Sequence, residues 1–193
     1  TLEERQEIII TALPLYHIFS LTANCLTFLN YGALNVLITD PRDRKTFIKV
    51  LKKYKFTAIT GVNTLFNLLL NIPDFATVDF SCLKVALGGG MQVQRVVADK
   101  WQATTKKPLL EAYGLTETSP AVCINPLNLK GYNGTVGLPV PSTEISIRDD
   151  TGKELGIGEP GELLVRGPQV MLGYWHQPEA TKEVLTSDGW VHT

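Results

Sequence analysis

The chain has 193 residues, of which 44 % are hydrophobic and 19 % charged, a globular balance that excludes a collagen, a low-complexity chain and a disordered tail. At this length folding buries roughly 70 % of the extended-chain surface, enough for one core or one core with a small second module. Eighteen Lys and Arg against nineteen Asp and Glu leave a net charge of −1, so no overall positive excess points to nucleic acid or anionic lipid.

Residues 7–13 carry the β-branched run Ile8, Ile9 and Ile10 and read as a buried strand ended by Pro14. A helix is expected over 17–30, then a strand over 34–39. Asp43 can cap the next helix, in which Phe47, Val50, Leu51 and Tyr54 recur at helical spacing while Lys45, Lys49, Lys52 and Lys53 form a solvated face. A third strand spans 56–60, with Gly61 as a turn, and 62–71 reads as a buried helix. The strand over 83–87 runs into Gly88-Gly89-Gly90, and the helix after it places Val93, Val96, Val97 and Trp101 on one face. A fifth strand covers 108–112. Strands alternating with helices predict an α/β fold, a mostly parallel sheet flanked by helices. Beyond Asn125 the texture becomes Gly- and Pro-rich. Residues 144–148, with Ile145 and Ile147 on one side, and 162–166 read as short strands of a small antiparallel β subdomain; 178–185 returns to helix. The expected division is 1–125 as an α/β subdomain, 126–175 as a β-rich partial barrel, and 176–193 as a truncated helix and strand returning towards the first.

Cys25, Cys82 and Cys123 include no CxxC pair, and His17, His176 and His192 lie far apart. A disulfide framework and a metal site of these residues are therefore disfavoured, and a reducing, cytoplasmic setting is expected. Cys25 and Cys123 read as small buried hydrophobes. Residues 18–29 are too short and too polar to span a bilayer, which needs about 20 apolar residues. Residues 1–7 are charged and do not form a signal peptide. The chain lacks an initiator Met and stops within a strand-like segment, so both ends read as cuts through a longer protein.

Ligands of open parallel sheets bind outside the carboxyl ends of the strands, and three polar or Gly-rich segments fall there. Gly88-Gly89-Gly90 would let a flat ring approach the backbone, or is simply a tight strand-to-helix turn; Val93 in the third glycine position argues against a dinucleotide fingerprint. In Tyr113-Gly114-Leu115-Thr116-Glu117-Thr118, Tyr113 offers a flat face to a purine, Thr116 a hydroxyl to a phosphate, and Glu117 a carboxylate to a hard cation such as Mg²⁺. The plain alternative is a solvated turn capped by Thr116. His17 is either a packed, hydrogen-bonded residue or the wall of a pocket for a carboxylate with an apolar tail, with Ile18, Phe19 and Leu21 as apolar contacts.

The order of Pro14-Leu15-Tyr16-His17-Ile18-Phe19, the triple glycine, the 113–118 segment, Gly161-Glu162-Leu163-Leu164-Val165-Arg166-Gly167-Pro168, Met171-Leu172-Gly173-Tyr174-Trp175 and Asp188-Gly189-Trp190-Val191-His192-Thr193 resembles the acyl-adenylate-forming superfamily of acyl-CoA synthetases, peptide-synthetase adenylation domains and luciferases. Residues 59–67 and 137–144 resemble its bacterial long-chain fatty-acid–CoA ligase branch. The resemblance runs from about Leu13 to Thr193. It implies adenine and nucleotide contacts from Gly88, Gly89, Gly90, Glu111, Ala112, Tyr113, Gly114 and Thr116. It implies acyl contacts from His17, Ile18, Phe19, Gly88 and Gly89, a catalytic set of Thr116, Glu117 and His17, and Mg²⁺ on Glu117. The implied substrates are a long-chain fatty acid, ATP and coenzyme A, with no nucleic acid, and peripheral membrane association is expected of a substrate that resides in lipid. The family's phosphate loop would precede Thr1. A ribose-binding Asp and the adenylation lysine would follow Thr193, so the 193 residues alone are expected to be inactive. A non-catalytic nucleotide- or lipid-binding module and an aryl- or amino-acid-adenylating domain are the alternatives.

Overall fold

The β-branched run near the start forms the strand around which a large sheet is laid out in the computed structural model, which describes residues 2–193. Strand β1 (Ile8–Thr11) lies between β2 (Leu34–Leu37) and β3 (Ala58–Gly61); β4 (Val85–Gly88) and β5 (Leu110–Gly114) follow, all parallel. Two antiparallel strands, β6 (Ala121–Ile124) and β7 (Leu138–Pro139), extend the sheet to seven in the order β2-β1-β3-β4-β5-β6-β7. A separate antiparallel sheet contains β8 (Glu144–Arg148), β9 (Glu162–Arg166) and β10 (Val191–His192). The expected α/β class with a small antiparallel sheet is thus observed. The sequence reading gave no strand at β6 and none at β7, which joins the large sheet.

Alternation along the strands sorts the core. On one face Ile10, Ile59 and Ala86 pack beneath α2 (Arg44–Lys53), α3 (Asn63–Leu70) and α4 (Arg95–Thr105), which contribute Phe47, Leu51, Phe66, Leu69, Val97 and Trp101. Asp43 caps α2 as expected, its carboxylate accepting the Thr46 N–H at 3.1 Å. Trp101 is fully buried, with Phe66 and Phe75 at ring-centroid distances of 4.9 and 5.6 Å. Val96 departs from the expected apolar face. It is 58 % exposed, because Val93 enters the core from the turn before α4 rather than from the helix itself, so the buried stripe is rotated toward Val97 and Trp101. Gly61 belongs to β3 rather than to a turn.

The opposite face is covered differently. Ile9, Ala58 and Phe28 form a small cluster beneath a helical segment that is π-helical over Ser20–Leu26 and continues as α1 (Thr27–Asn30). The helix expected over 17–30 is therefore α-helical only at its ends and underwound through its middle, and the cause is polar. Asn24 is fully buried; its amide donates to the Thr11 hydroxyl at 2.9 Å and accepts from the Thr60 hydroxyl at 2.8 Å. Thr11 in turn donates to Asn35, and the Asn35 amide donates to the Asn24 carbonyl. The wide turn lets Ser20, Asn24 and Phe28 all face the sheet, and the Thr27 N–H reaches back five residues to the Thr22 carbonyl. Cys25 points aside and is half-buried, whereas Cys123 is buried as expected.

The two sheets meet through Val122, Cys123, Val165 and Val191. In β8 Ile145 and Ile147 share the side of Val165 and Leu163 that meets the large sheet, as expected, but Ile145 stays 38 % exposed while Ser146, on the other side, is buried. The Ser146 side is covered as well: it carries Leu164 opposite Ser146, and Trp190 packs there against the guanidinium groups of Arg148 and Arg166 at 4.9 and 4.7 Å.

At the amino end of the large sheet, buried Glu7 accepts from Lys84 at 2.8 Å. Burial pushes the Glu7 carboxyl up, but hydrogen bonds from Lys84, Thr57 and the Glu3 backbone outweigh it and leave the pKa below its ordinary 4.5. A depressed folded-state pKa contributes stability that is present above the unfolded value and lost as pH falls through the folded one. Lys84→Met is accordingly expected to lower the thermal midpoint at neutral pH, and the deficit should shrink as pH drops below 4.5; a deficit that is constant with pH contradicts the linkage. Asn24→Ala leaves the Thr60 hydroxyl without its acceptor, while Thr11 still donates to Asn35, and is expected to cost about 1–3 kcal/mol in urea unfolding.

Candidate active site

Parallel pairing of β4 with β5 sets Gly88 opposite Glu111, so the segments that leave both strands emerge side by side at the carboxyl rim. Two cavities open there and share a wall made of Gly90, Ala112, Tyr113 and Gly114.

The larger, of about 400 Å³, is lined by Gly90, Met91, Gln92, Glu111 to Gly114, and Gly134 to Val136. Glu111 is 6 % exposed. Its Oε1 accepts the Val93 N–H at 3.3 Å, its Oε2 has no partner, and burial pushes its carboxyl above the usual range. The far wall, Gly134 to Val136, is held by Asn125. This buried side chain donates to the Thr135 carbonyl at 2.6 Å and accepts from Asn133 at 3.0 Å, while its backbone N–H is bonded to the Glu111 carbonyl. The sequence reading missed this wall. The run Gly131-Tyr132-Asn133-Gly134-Thr135-Val136-Gly137 signalled a loop, but nothing in it said that the loop would fold back over β5.

The smaller cavity, of about 170 Å³, is largely apolar; its walls include His17, Phe19, Thr22, Ala23, Leu87, Gly89 and Ile124. Gly89 lets Phe19 approach closely, since a Cβ there would lie 3.2 Å from the Phe19 ring and push it aside. Gly90 takes a φ of +74°, the left-handed region that glycine enters without strain. His17 is exposed at the mouth, and its Nδ1 accepts the Phe19 N–H at 3.2 Å, so it both lines the cavity and starts the helical segment.

Not every expected residue reaches these walls. Gly88 is buried in β4 against Val93 and lines neither cavity. Ile18 is half-buried and turned away, because successive helical residues point about 100° apart and Phe19 takes the inward position. Thr116 and Glu117 occupy the short 3₁₀ turn Thr116–Thr118 just beyond Gly114, outside both linings. Glu117 is anchored twice to the segment that follows β9: the Tyr174 hydroxyl donates to its Oε1 at 2.6 Å and the Met171 N–H donates to its carbonyl at 2.8 Å. The carboxylate raises the Tyr174 pKa through that bond. Gln169, from the same segment, donates to the Ala121 carbonyl at 3.1 Å and ties it to β6. No cluster of three or more His, Cys, Asp or Glu with metal-binding geometry occurs among the described residues.

Comparison with known proteins agrees with this arrangement. The family model described as AMP-binding enzyme matches residues 1–175. A long-chain-fatty-acid–CoA ligase of Yersinia pestis is 58 % identical over 192 residues, covering 100 % of this chain and 34 % of that protein. Among solved structures, ATP-bound MatB from Rhodopseudomonas palustris superposes with a TM-score of 0.83 at 30 % identity, over 97 % of this chain and 37 % of that one. A benzoate CoA ligase from Burkholderia xenovorans LB400 shares the fold, with a TM-score of 0.89 at 22 % identity over 100 % of this chain and 39 % of that one. The chain spans about a third of the length of the curated relatives it matches. A parallel sheet whose β4 and β5 rims enclose paired cavities, read with a family match over nearly all its length, places this chain in the AMP-binding enzyme family.

Proposed function

We propose that the chain is the nucleotide- and acyl-binding part of a long-chain fatty-acid–CoA ligase, an ATP-dependent acid–thiol ligase that makes acyl-AMP and transfers the acyl group to coenzyme A. The observation that carries this reading is the shared wall: one strip of backbone, Ala112 to Gly114, separates a cavity with a buried carboxylate from an apolar one. A nucleotide on one side and an acyl carboxylate on the other would meet at its rim. The identity with the Yersinia pestis ligase supports the substrate class.

In the larger cavity Tyr113 would pack on the adenine, and Glu111, whose unpaired Oε2 is buried, would turn toward the cavity to accept from the adenine amine. The fatty carboxylate would enter by His17 and Phe19. About 170 Å³ is small beside ordinary ligand pockets, so this chain holds only the head of a long acyl group, each further buried CH₂ adding about 0.8 kcal/mol elsewhere. The carboxylate oxygen attacks the α-phosphorus and expels pyrophosphate; the coenzyme A thiolate then attacks the acyl carbon and expels AMP. The obstacle is an anion approaching a polyanion. Thr116, whose hydroxyl is exposed at the rim, would orient the α-phosphate. Glu117 fits a Mg²⁺ site of the kind that uses one carboxylate with water and substrate phosphates, since only its Oε1 is engaged. When bound, that ion neutralises charge on the phosphate oxygens. Tyr174 holds the Glu117 carboxylate in a fixed orientation. A cytoplasmic location, peripheral on the inner face of the cell membrane, completes the reading.

ATP–pyrophosphate exchange tests it. The full-length protein is expected to exchange with palmitate, and Glu117→Ala to lower the rate on the order of 10²- to 10³-fold while lowering the thermal midpoint only slightly, through loss of the exposed Tyr174 bond. The 193 residues alone are expected to show no exchange. Exchange that responds to benzoate or an amino acid but not to palmitate, or that is unaffected by Glu117→Ala, defeats the assignment.

A further inference from the structure

The net charge of −1 conceals a strongly uneven distribution. Seven of the eighteen Lys and Arg fall between Arg42 and Lys55, where Asp43 is the single acid; the remaining 179 residues hold eleven Lys and Arg against eighteen Asp and Glu. All seven cations, Arg42, Arg44, Lys45, Lys49, Lys52, Lys53 and Lys55, are exposed. Most lie on α2, whose apolar side is buried in the core, so the charge faces outward.

The helix's own stability does not account for the cluster. Arg44 and Lys45 sit in its first turn, where the backbone dipole favours acids and the one acid at that end is the capping Asp43. Lys45 with Lys49, and Lys49 with Lys53, are like-charge pairs four residues apart, which oppose helix formation. Nor do neighbouring acids neutralise it. Asp40 pairs with Arg42 at 3.0 Å and Asp74 meets Lys52 at 3.6 Å, but Arg44, Lys45 and Lys49 have no ion pair among the described residues. These three, with Lys52 and its partner Asp74, rim a recess of about 400 Å³ floored by Ile48, Ile72 and Pro73.

We infer that this outward face of α2 docks the protein onto an anionic lipid surface. Lys45, Lys49 and Lys52 project from one side of the helix, a row of point charges on flexible stems that suits a continuous field of headgroup phosphates and needs no bidentate geometry. Their methylene stems can lie along the apolar floor while the ammonium groups reach the headgroups. An acidic protein partner would meet the same charge, but the absence of fixed partners at Arg44, Lys45 and Lys49 favours a surface that imposes no register. The inference names the surface for the membrane association proposed above and rests on that part of the reading, not on the reaction.

Co-sedimentation of the full-length protein with vesicles, without substrates, tests it. Binding is expected to vesicles containing phosphatidylglycerol and not to neutral phosphatidylcholine, and to fall steeply with salt. The triple variant R44Q/K45Q/K49Q is expected to bind on the order of a hundredfold more weakly, with ATP–pyrophosphate exchange on a short, water-soluble acid unchanged because these residues lie outside both cavities. Equal binding to neutral vesicles, or undiminished binding by the variant, overturns the proposal. Retention on polyglutamate without vesicle binding overturns it in favour of an acidic protein. Normal anionic-vesicle binding by a protein that fails the exchange assay supports docking and counts against the ligase reaction alone.

Discussion

The site depends on one pairing, the parallel ladder that sets Gly88 of β4 beside Glu111 of β5. Parallel neighbours end at the same rim, so two segments more than twenty residues apart in sequence leave the sheet as adjacent loops. One contributes bare backbone and the other an aromatic ring and a carboxylate. A slip of one residue would exchange the faces of β5, carrying Glu111 away from Gly88 and the Val93 N–H that it accepts and onto the opposite face of the sheet. The Val93 N–H, which bonds Glu111 across this pairing, ties the turn after β4 to the same register.

The two faces of the sheet use different physical means. One is closed by three amphipathic helices over a continuous apolar core in which Trp101, Phe66 and Phe75 are packed edge to face or tilted. Such packing is dense and leaves no room for ligand. The other is held by a short chain of hydrogen bonds among Asn24, Thr11, Thr60 and Asn35. Directional bonds hold a π-helical segment in place without filling the space beside it, and the smaller cavity occupies that space. Helical irregularity of this kind recurs at functional sites. Here its cause is the buried amide of Asn24 reaching two strands at once.

Charge is also divided by location. The cavity region carries a buried carboxylate at Glu111 and a tethered one at Glu117, while α2 presents unpaired cations on a different surface. The tether at Glu117 comes from the segment after β9, which also bonds Ala121 through Gln169. The small antiparallel sheet is therefore connected to the rim of the large one by side chains as well as by the Val122, Cys123, Val165 and Val191 cluster.

The sequence by itself determined the strand–helix alternation, the parallel sheet, the Asp43 cap and the meeting of the triple glycine with the Tyr113 segment, because each rests on local periodicity, turn chemistry or chain order. Its errors share a different cause. Val96 and Ile18 are apolar residues at apolar spacing, and only their neighbours decide that Val96 faces outward and Ile18 turns from the cavity while Val93 and Phe19 face in. Strand β6, the Asn125-held wall at Gly134 to Val136 and the Tyr174 bond to Glu117 join residues between seven and fifty-seven positions apart. Tertiary structure alone decided these, because such contacts come from two distant segments competing for one space and leave no period in either.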